Sequence, residues 1–211
     1  MKSNLFIISP SGWRAIAISF GFGVLFAFFD LELLATLAFV AGAFFLFIYR
    51  NPERELQADA QQSIVSPVDG KVTKVEALEE LSQFSYMIEI DSSYTDVTVL
   101  RAPVDATLNY KSVTNGSRVG RFSPLFEKLN ESAALFFLDA NNKLIKVEHH
   151  LKQSVAPLEI TLKEDDKVAK AARYGVMVYG VTRLYLESDA QINVKVGDKL
   201  KAAESSLAYF S

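Results

Sequence analysis

The chain has 211 residues, half of them hydrophobic, with 16 phenylalanines and no cysteine; this suits one domain of ordinary size carrying an apolar appendage. The missing cysteines remove thiol nucleophiles, disulfides and cysteine-based zinc sites together. A formal net charge of -3, with acids and bases intermixed along the second part, leaves no basic stripe to track phosphates, so nucleic acid is excluded as a partner.

Two apolar runs come first, Ala15 to Phe29 and Leu33 to Tyr49, separated by Asp30, Leu31 and Glu32. At 1.5 Å per residue they reach roughly 22 and 26 Å, against a hydrocarbon core of about 30 Å. A single helix through both would bury two carboxylates near a bilayer centre at about 2.5 to 3.5 kcal/mol each, whereas a hairpin places them at the far surface. The bases Lys2, Arg14, Arg50 and Arg54 flank the pair and the turn holds only acids, so both ends are expected on the cytoplasmic side. Trp13 and Tyr49 sit where amphipathic rings favour the headgroup layer. A buried hairpin would carry a polar face, and a signal peptide would offer a small-residue cleavage site; neither pattern is present. Residues 1–50 are therefore expected to form a transmembrane helical hairpin in the inner (cytoplasmic) membrane.

A polar linker over residues 51–63 leads to residues 64–211, where short runs rich in Val, Ile, Tyr and Phe alternate with turn residues such as Asp-Gly, Asn-Asn and Gly-Asp. That spacing predicts a mainly β soluble domain, sandwich-like or barrel-like, with few short helices. One helix is expected over Ser123 to Leu129, with Ser123 as N-cap and Pro124 in the first turn, and a second helical turn at Ala77 to Leu81. The segments SPVDGKVTKV and VKVGDKLKA each carry a Gly turn flanked by Val and Lys, which hints at paired hairpins.

Few residues point to chemistry unaided. Asp69 in SPVDG has the composition of an Asx-turn. His149 and His150 are adjacent on an expected strand, so they point to opposite faces and cannot form a bidentate metal pair; one exposed and one half-buried histidine is expected. The loop NGSRVGR, Asn115 to Arg121, suits an anion, yet it lacks the Lys-Ser/Thr ending of a nucleotide-binding loop, and a hairpin with solvated arginines fits equally.

Several segments, in order, resemble the short bacterial and archaeal form of phosphatidylserine decarboxylase. The apolar hairpin ending in FIYRNPER resembles that family's membrane segment and its Phe-Arg-x-Pro-x-Arg junction. SPVDGKV is similar to its Ser-Pro-Ala-Asp-Gly-Lys-Val turn, and DVTVLRAPVDA to its Asp-Val-His-Val-Asn-Arg strand. Asn130 to Ser132 stands where the family has Asn-Glu-Arg, VMVYGVTRLYLE resembles its Gly-Ser-Arg cleavage segment, and VGDKLKAAESSLA its closing strand.

The resemblance implies a self-cleaving proenzyme. A serine after the glycine attacks the glycine carbonyl, the ester eliminates, and a pyruvoyl group remains to act as the electron sink for decarboxylation; an aspartate and a histidine assist as bases. Carried over residue by residue, Asp69 matches the aspartate, Thr98 stands at the histidine, Gly180 matches the glycine and Val181 stands at the serine. A shift of one residue, matching Arg183 to the family's arginine, puts Thr182 in the serine's place, and elimination there would leave a 2-oxobutanoyl group. The expected protein is thus a family member in phospholipid metabolism that has lost self-processing and holds a phospholipid headgroup, a second copy of itself or an active homologue. Its alternative is an active decarboxylase processed at Thr182. No cofactor is expected, and a pyruvoyl group only if the chain cuts itself. Arg101, Arg118 and Arg121 are the candidate phosphate ligands, with pairing of Arg101 to Asp105 as the bland alternative.

Overall fold

The computed structural model describes residues 7–56, 63–78 and 83–210. It divides into two compact units, Met1–Glu53 and Arg54–Ser211. Part of the expected linker (57–62), residues 79–81 of the expected second helical turn and Lys2 lie outside the described residues.

The first unit is a helical hairpin. Helix α1 spans Trp13–Phe28 and α2 spans Glu32–Ile48. The turn between them uses Asp30 in the left-handed region, with φ of 56°, a conformation that aspartate tolerates better than most residues. Glycines set the closeness of the two helices: an added Cβ on Gly23 would meet the Phe39 ring and one on Gly42 the Phe20 ring. Phe22, Val24, Leu25, Phe28, Leu33 and Val40 remain exposed. Among the described residues one helical stretch, Pro10–Phe28, has 19 residues and is apolar enough to cross a membrane; Glu32–Ile48 is apolar but shorter.

The second unit is β-rich. The strands that position the site are β2 (Gly70–Ala77), β3 (Tyr86–Ser92), β4 (Val99–Arg101), β6 (Ser132–Asp139), β7 (Leu144–Leu151), β10 (Arg173–Val176) and β11 (Gly180–Leu186). Besides these, β1 is Ser63–Val65, β5 Ala106–Thr114, β8 Glu159–Ile160, β9 Lys167–Val168, β12 Ala190–Ile192, β13 Lys199–Leu200 and β14 Ser206–Phe210. An eight-stranded sheet runs in the order β13-β2-β3-β11-β7-β6-β5-β9, and two three-stranded sheets run β1-β14-β12 and β4-β10-β8. Alternation along the strands decides which side chains are buried. On β7 every second residue, Ile145, Val147, His149 and Leu151, is buried. These residues join Ile88 and Ile90 of β3, Leu184 of β11, and Ile64, Leu100, Tyr174 and Leu207 of the small sheets in one core. Strands β3, β11 and β7 pair antiparallel in continuous register, Val181 lying between Asp91 and His150 and Thr182 between Ile90 and His149.

Three local expectations change. The helix expected at Ser123 is confined to Phe126–Leu129, α3, because Ser123 closes a turn instead: its carbonyl accepts from the Phe126 N–H and its hydroxyl from the Leu125 N–H. Ala77 ends strand β2 rather than starting a helical turn. The two Gly-turn segments pair with each other, Lys199 with Lys71 and Leu200 with Gly70.

Candidate functional site

Asp69 sits in the turn before β2 and is buried. One carboxylate oxygen accepts from the Ala202 N–H at 2.7 Å and the other from Arg54 at 2.8 Å, while Arg54 reaches Glu204 at 3.5 Å. Its Asx-turn composition therefore serves a long-range contact, joining the junction after the apolar hairpin to the final segment of the chain. The Asp69 carbonyl accepts from the Ser92 hydroxyl at 2.6 Å, and Ser92 is the register partner of Gly180. Thr98, also buried, accepts the Met177 N–H on its carbonyl at 2.8 Å. A Cβ on Gly180 would run into the Met177 sulfur and come within 2.7 Å of the His150 carbonyl. Backbone hydrogen bonds, strand register and this close approach thus draw Asp69, Thr98 and Gly180 into one neighbourhood, although the segments that carry them are far apart in sequence.

Val181 and Thr182 face opposite ways. Thr182 points into the core, where its hydroxyl lies 2.8 Å from His149 Nδ1, and His149 Nε2 lies 2.7 Å from the Tyr174 hydroxyl. Thr182, His149 and Tyr174 are all fully buried. Burial, with a smaller contribution from His150, lowers the His149 pKa to about 3, and burial pushes the Tyr174 phenol up. The result is a neutral hydrogen-bonded chain in which each buried polar group has a partner. The opposite-face expectation for the two histidines holds, but His149 is fully inside and His150 is only partly exposed, under the Phe126 ring at 6.0 Å between centroids.

Val181 belongs to the outer face of the same sheet, with Asp91, His150 and Arg183. Arg183 bonds Glu89 at 2.9 Å and chelates Glu127 through both terminal nitrogens; Arg121 bonds Glu89 at 2.5 Å and Asp91 at 3.0 Å. Burial pushes the Glu89 carboxyl up, but the Thr73 hydroxyl, Arg183 and Arg121 outweigh it and hold the group below its ordinary pKa. Lys152 pairs with Asp91 and lies over the Tyr179 ring at 3.7 Å. Tyr179 in turn stacks on Tyr94 at 4.6 Å.

A cleft of about 400 Å³ opens beside Gly180 on this outer side, lined by Thr73, Asp91, Gly120, Arg121, Phe122, Lys152, Gln153 and Tyr179. Of the three arginines proposed as phosphate ligands, Arg121 lines it. Arg118 bonds the Ser154 carbonyl at 3.0 Å and Glu131 at 3.3 Å. Arg101 is buried and donates to the Ala171 carbonyl at 3.2 Å, while Asp105 accepts from the Lys170 N–H. Among the described residues no group of three or more His, Cys, Asp or Glu could hold a metal ion. Sequence reasoning passed over Lys152, Tyr179, Asp91, His149 as a hydroxyl partner, and Arg54 as the partner of Asp69. The one signal available is the second arginine of FIYRNPER, Arg54, which in the sequence reads as a membrane-flanking charge.

Val181, directly after Gly180, carries no hydroxyl that could attack the Gly180 carbonyl.

The family described as phosphatidylserine decarboxylase matches residues 41–208. Proteins named phosphatidylserine decarboxylase proenzyme are similar over almost the whole chain. The one from Syntrophus aciditrophicus is 29% identical over 199 residues, covering 92% of this chain and 93% of its own. Those from Symbiobacterium thermophilum and Geotalea uraniireducens are 25% and 27% identical, covering 94% and 98% of both chains respectively. The likeness spans the apolar hairpin, the Asp69 turn, the Thr98 strand, the Gly180 strand and the closing segment, and the chain belongs to the phosphatidylserine decarboxylase family.

Proposed function

We propose that this protein is a membrane-anchored member of the family that binds a phospholipid headgroup in the cleft beside Gly180 without cutting its own chain. The observation that carries this reading is Val181 at the family's serine position. Thr98 at the histidine position supports it, since a threonine hydroxyl has no basic site near neutral pH. The cleft floor supports headgroup binding: Arg121 and Lys152 offer donors to a phosphate or carboxylate, and Asp91 offers an acceptor to an ammonium. The apolar hairpin anchors the chain in the cytoplasmic membrane with the β-rich domain on the cytoplasmic side, by the position of the bases outside the hairpin. In this role the protein presents the headgroup to, or stabilises, a second copy or an active homologue.

A second reading is an active decarboxylase, converting phosphatidylserine to phosphatidylethanolamine and carbon dioxide after processing at Thr182. The hydrogen bond between the Thr182 hydroxyl and His149 favours it. Base strength weighs against it: His149 resists protonation down to about pH 3, so taking the hydroxyl proton would place a charge in the core.

Intact mass of the purified full-length protein separates the two. A single species at 23.4 kDa is expected, and fragments divided at Val181–Thr182 would establish the second reading instead. Binding of soluble glycerophosphoserine to the full chain in nanodiscs tests the cleft, and unchanged affinity on Lys152→Ala with Arg121→Ala would remove it as the headgroup site.

A further inference from the structure

The loop between β5 (Ala106–Thr114) and β6 is fixed at its base and apolar at its tip. At the base, Ser117 donates its N–H to the Leu129 carbonyl and accepts the Glu131 N–H on its own carbonyl. The Asn130 side chain accepts from the Val119 N–H at 2.9 Å and donates to the carbonyls of Val119 at 2.9 Å and Leu151 at 2.6 Å. Arg118 ties the same base to Ser154 and Glu131. Phe126 is buried against His150 and anchors α3.

With the base pinned in this way, the residues that point outward are held there. Phe122 is 98% exposed, Leu125 48% and Leu129 44%. Leu125 and Leu129 stand one helical turn apart, the Leu129 N–H donating to the Leu125 carbonyl, and Phe122 precedes them in the adjoining turn. Lys128 and Glu127 are exposed beside them. An almost fully solvated phenylalanine on an ordered base is an unfavourable use of apolar surface unless something covers it.

Phe122 also stands at the mouth of the polar cleft that contains Arg121, Lys152 and Asp91. A partner that fits must present apolar matter to the ridge and charged groups to the cleft a few ångströms away. A bilayer surface has that layering, with acyl chains below and phosphates level with Lys128 and the cleft mouth.

We propose that the Phe122–Leu125–Leu129 ridge inserts into the bilayer surface, as a second membrane contact separate from the helical hairpin, and so sets the cleft at headgroup depth. This inference rests on the reading of the cleft as a headgroup site. The occupant is the lipid surface, and Lys128 together with the cleft cations favours an anionic one.

The absence of cysteine makes a single labelled position clean. Full-length Phe122→Cys and Asn141→Cys, each carrying a nitroxide, are reconstituted in liposomes of phosphatidylcholine with and without phosphatidylglycerol. Asn141 is an exposed turn residue at the far end of β6 from the loop. In anionic liposomes the label at 122 is expected to be several-fold more accessible to oxygen than to a water-soluble nickel chelate, with the label at 141 showing the reverse.

Water-like accessibility at both positions would overturn the proposal, as would dipolar broadening at 122 that vanishes on dilution with unlabelled protein, since that marks a second copy on the ridge. The glycerophosphoserine measurement keeps the two failures apart. Headgroup binding with a water-exposed label removes the ridge inference alone, whereas an inserted label without headgroup binding upholds the membrane contact and removes the cleft reading.

Discussion

Strand β11 has two faces that have been built to different ends. Its inner side chains, Thr182, Leu184 and Leu186, are fully buried, and the one polar member is satisfied by His149, which is in turn satisfied by Tyr174. On its outer side Val181 is buried too, at 1% exposure, whereas Arg183 and Tyr185 bond Glu89, Glu127 and Glu148, and Arg121 and Asp91 nearby line an open cleft. A one-residue difference in register therefore separates a sealed hydrogen-bonded chain from the side of the sheet that carries the charged network. Thr182 and Val181 are not interchangeable answers to where a serine would stand, because they open onto different environments.

Substitutions on the two faces separate these roles, and the largest effect is expected inside. His149→Leu leaves the Thr182 and Tyr174 hydroxyls buried without their partner, and a loss of about 3 to 5 kcal/mol in chemical denaturation is expected. Gly180→Ala follows at about 3 kcal/mol, since the new Cβ meets the backbone carbonyl of His150 as well as Met177; an unchanged midpoint would mean that β11 shifts freely and that the register is soft.

Val181→Ser costs about 1 to 2 kcal/mol for the lost apolar burial, and the chain is expected to stay intact because position 98 still lacks a base. Thr98→His with Val181→Ser is expected to yield fragments divided at Gly180–Val181, read by intact mass. Cleavage in the single variant would show that Thr98 is not the missing part.

The inner face also predicts a pH dependence. His149 has a folded pKa of about 3 against an ordinary 6.5, so below the ordinary value the unfolded chain binds a proton that the folded chain refuses. Stability is fully present above about pH 6.5 and falls with acid by roughly 1 kcal/mol per pH unit down to the folded value. Glu89 and Glu127, both held low by arginines, add to the loss only as pH falls through the carboxylate range. Burial also holds the His150 imidazole below its ordinary pKa, so both histidines contribute to the slope between pH 6.5 and 5, and His149→Gln is expected to reduce it without abolishing it.

On the outer face Arg121→Ala is expected to change stability by less than about 1 kcal/mol, since its ion pairs are part-exposed and screened. Glycerophosphoserine affinity is expected to fall by about tenfold, a charge-assisted contact being worth on the order of 1.5 kcal/mol. A large stability loss without an affinity change would make Arg121 a structural residue.

Periodicity made much of this legible. Alternation along EHHL placed the two histidines on opposite sides, and two apolar runs broken by Asp30 and Glu32 gave the hairpin turn. The order of motifs carried the family, through segments whose local composition read only as turns and strands. Deep burial of His149 was not legible, because a histidine on a strand reads the same whether its partners are water or two hydroxyls from other strands. In the sequence Arg54 reads as a charge beside the apolar hairpin, and only its contact with Asp69 shows that it fastens to the turn before β2.

The sequence by itself determined the family, the two-part organisation and the valine that follows Gly180, since these depend on residue identity, order and period along one chain. Tertiary structure decided which of Val181 and Thr182 faces His149 in the core, which arginine lines the cleft and what holds Asp69. Those are matters of strand register and of contacts between residues up to 133 positions apart, and no local pattern encodes them.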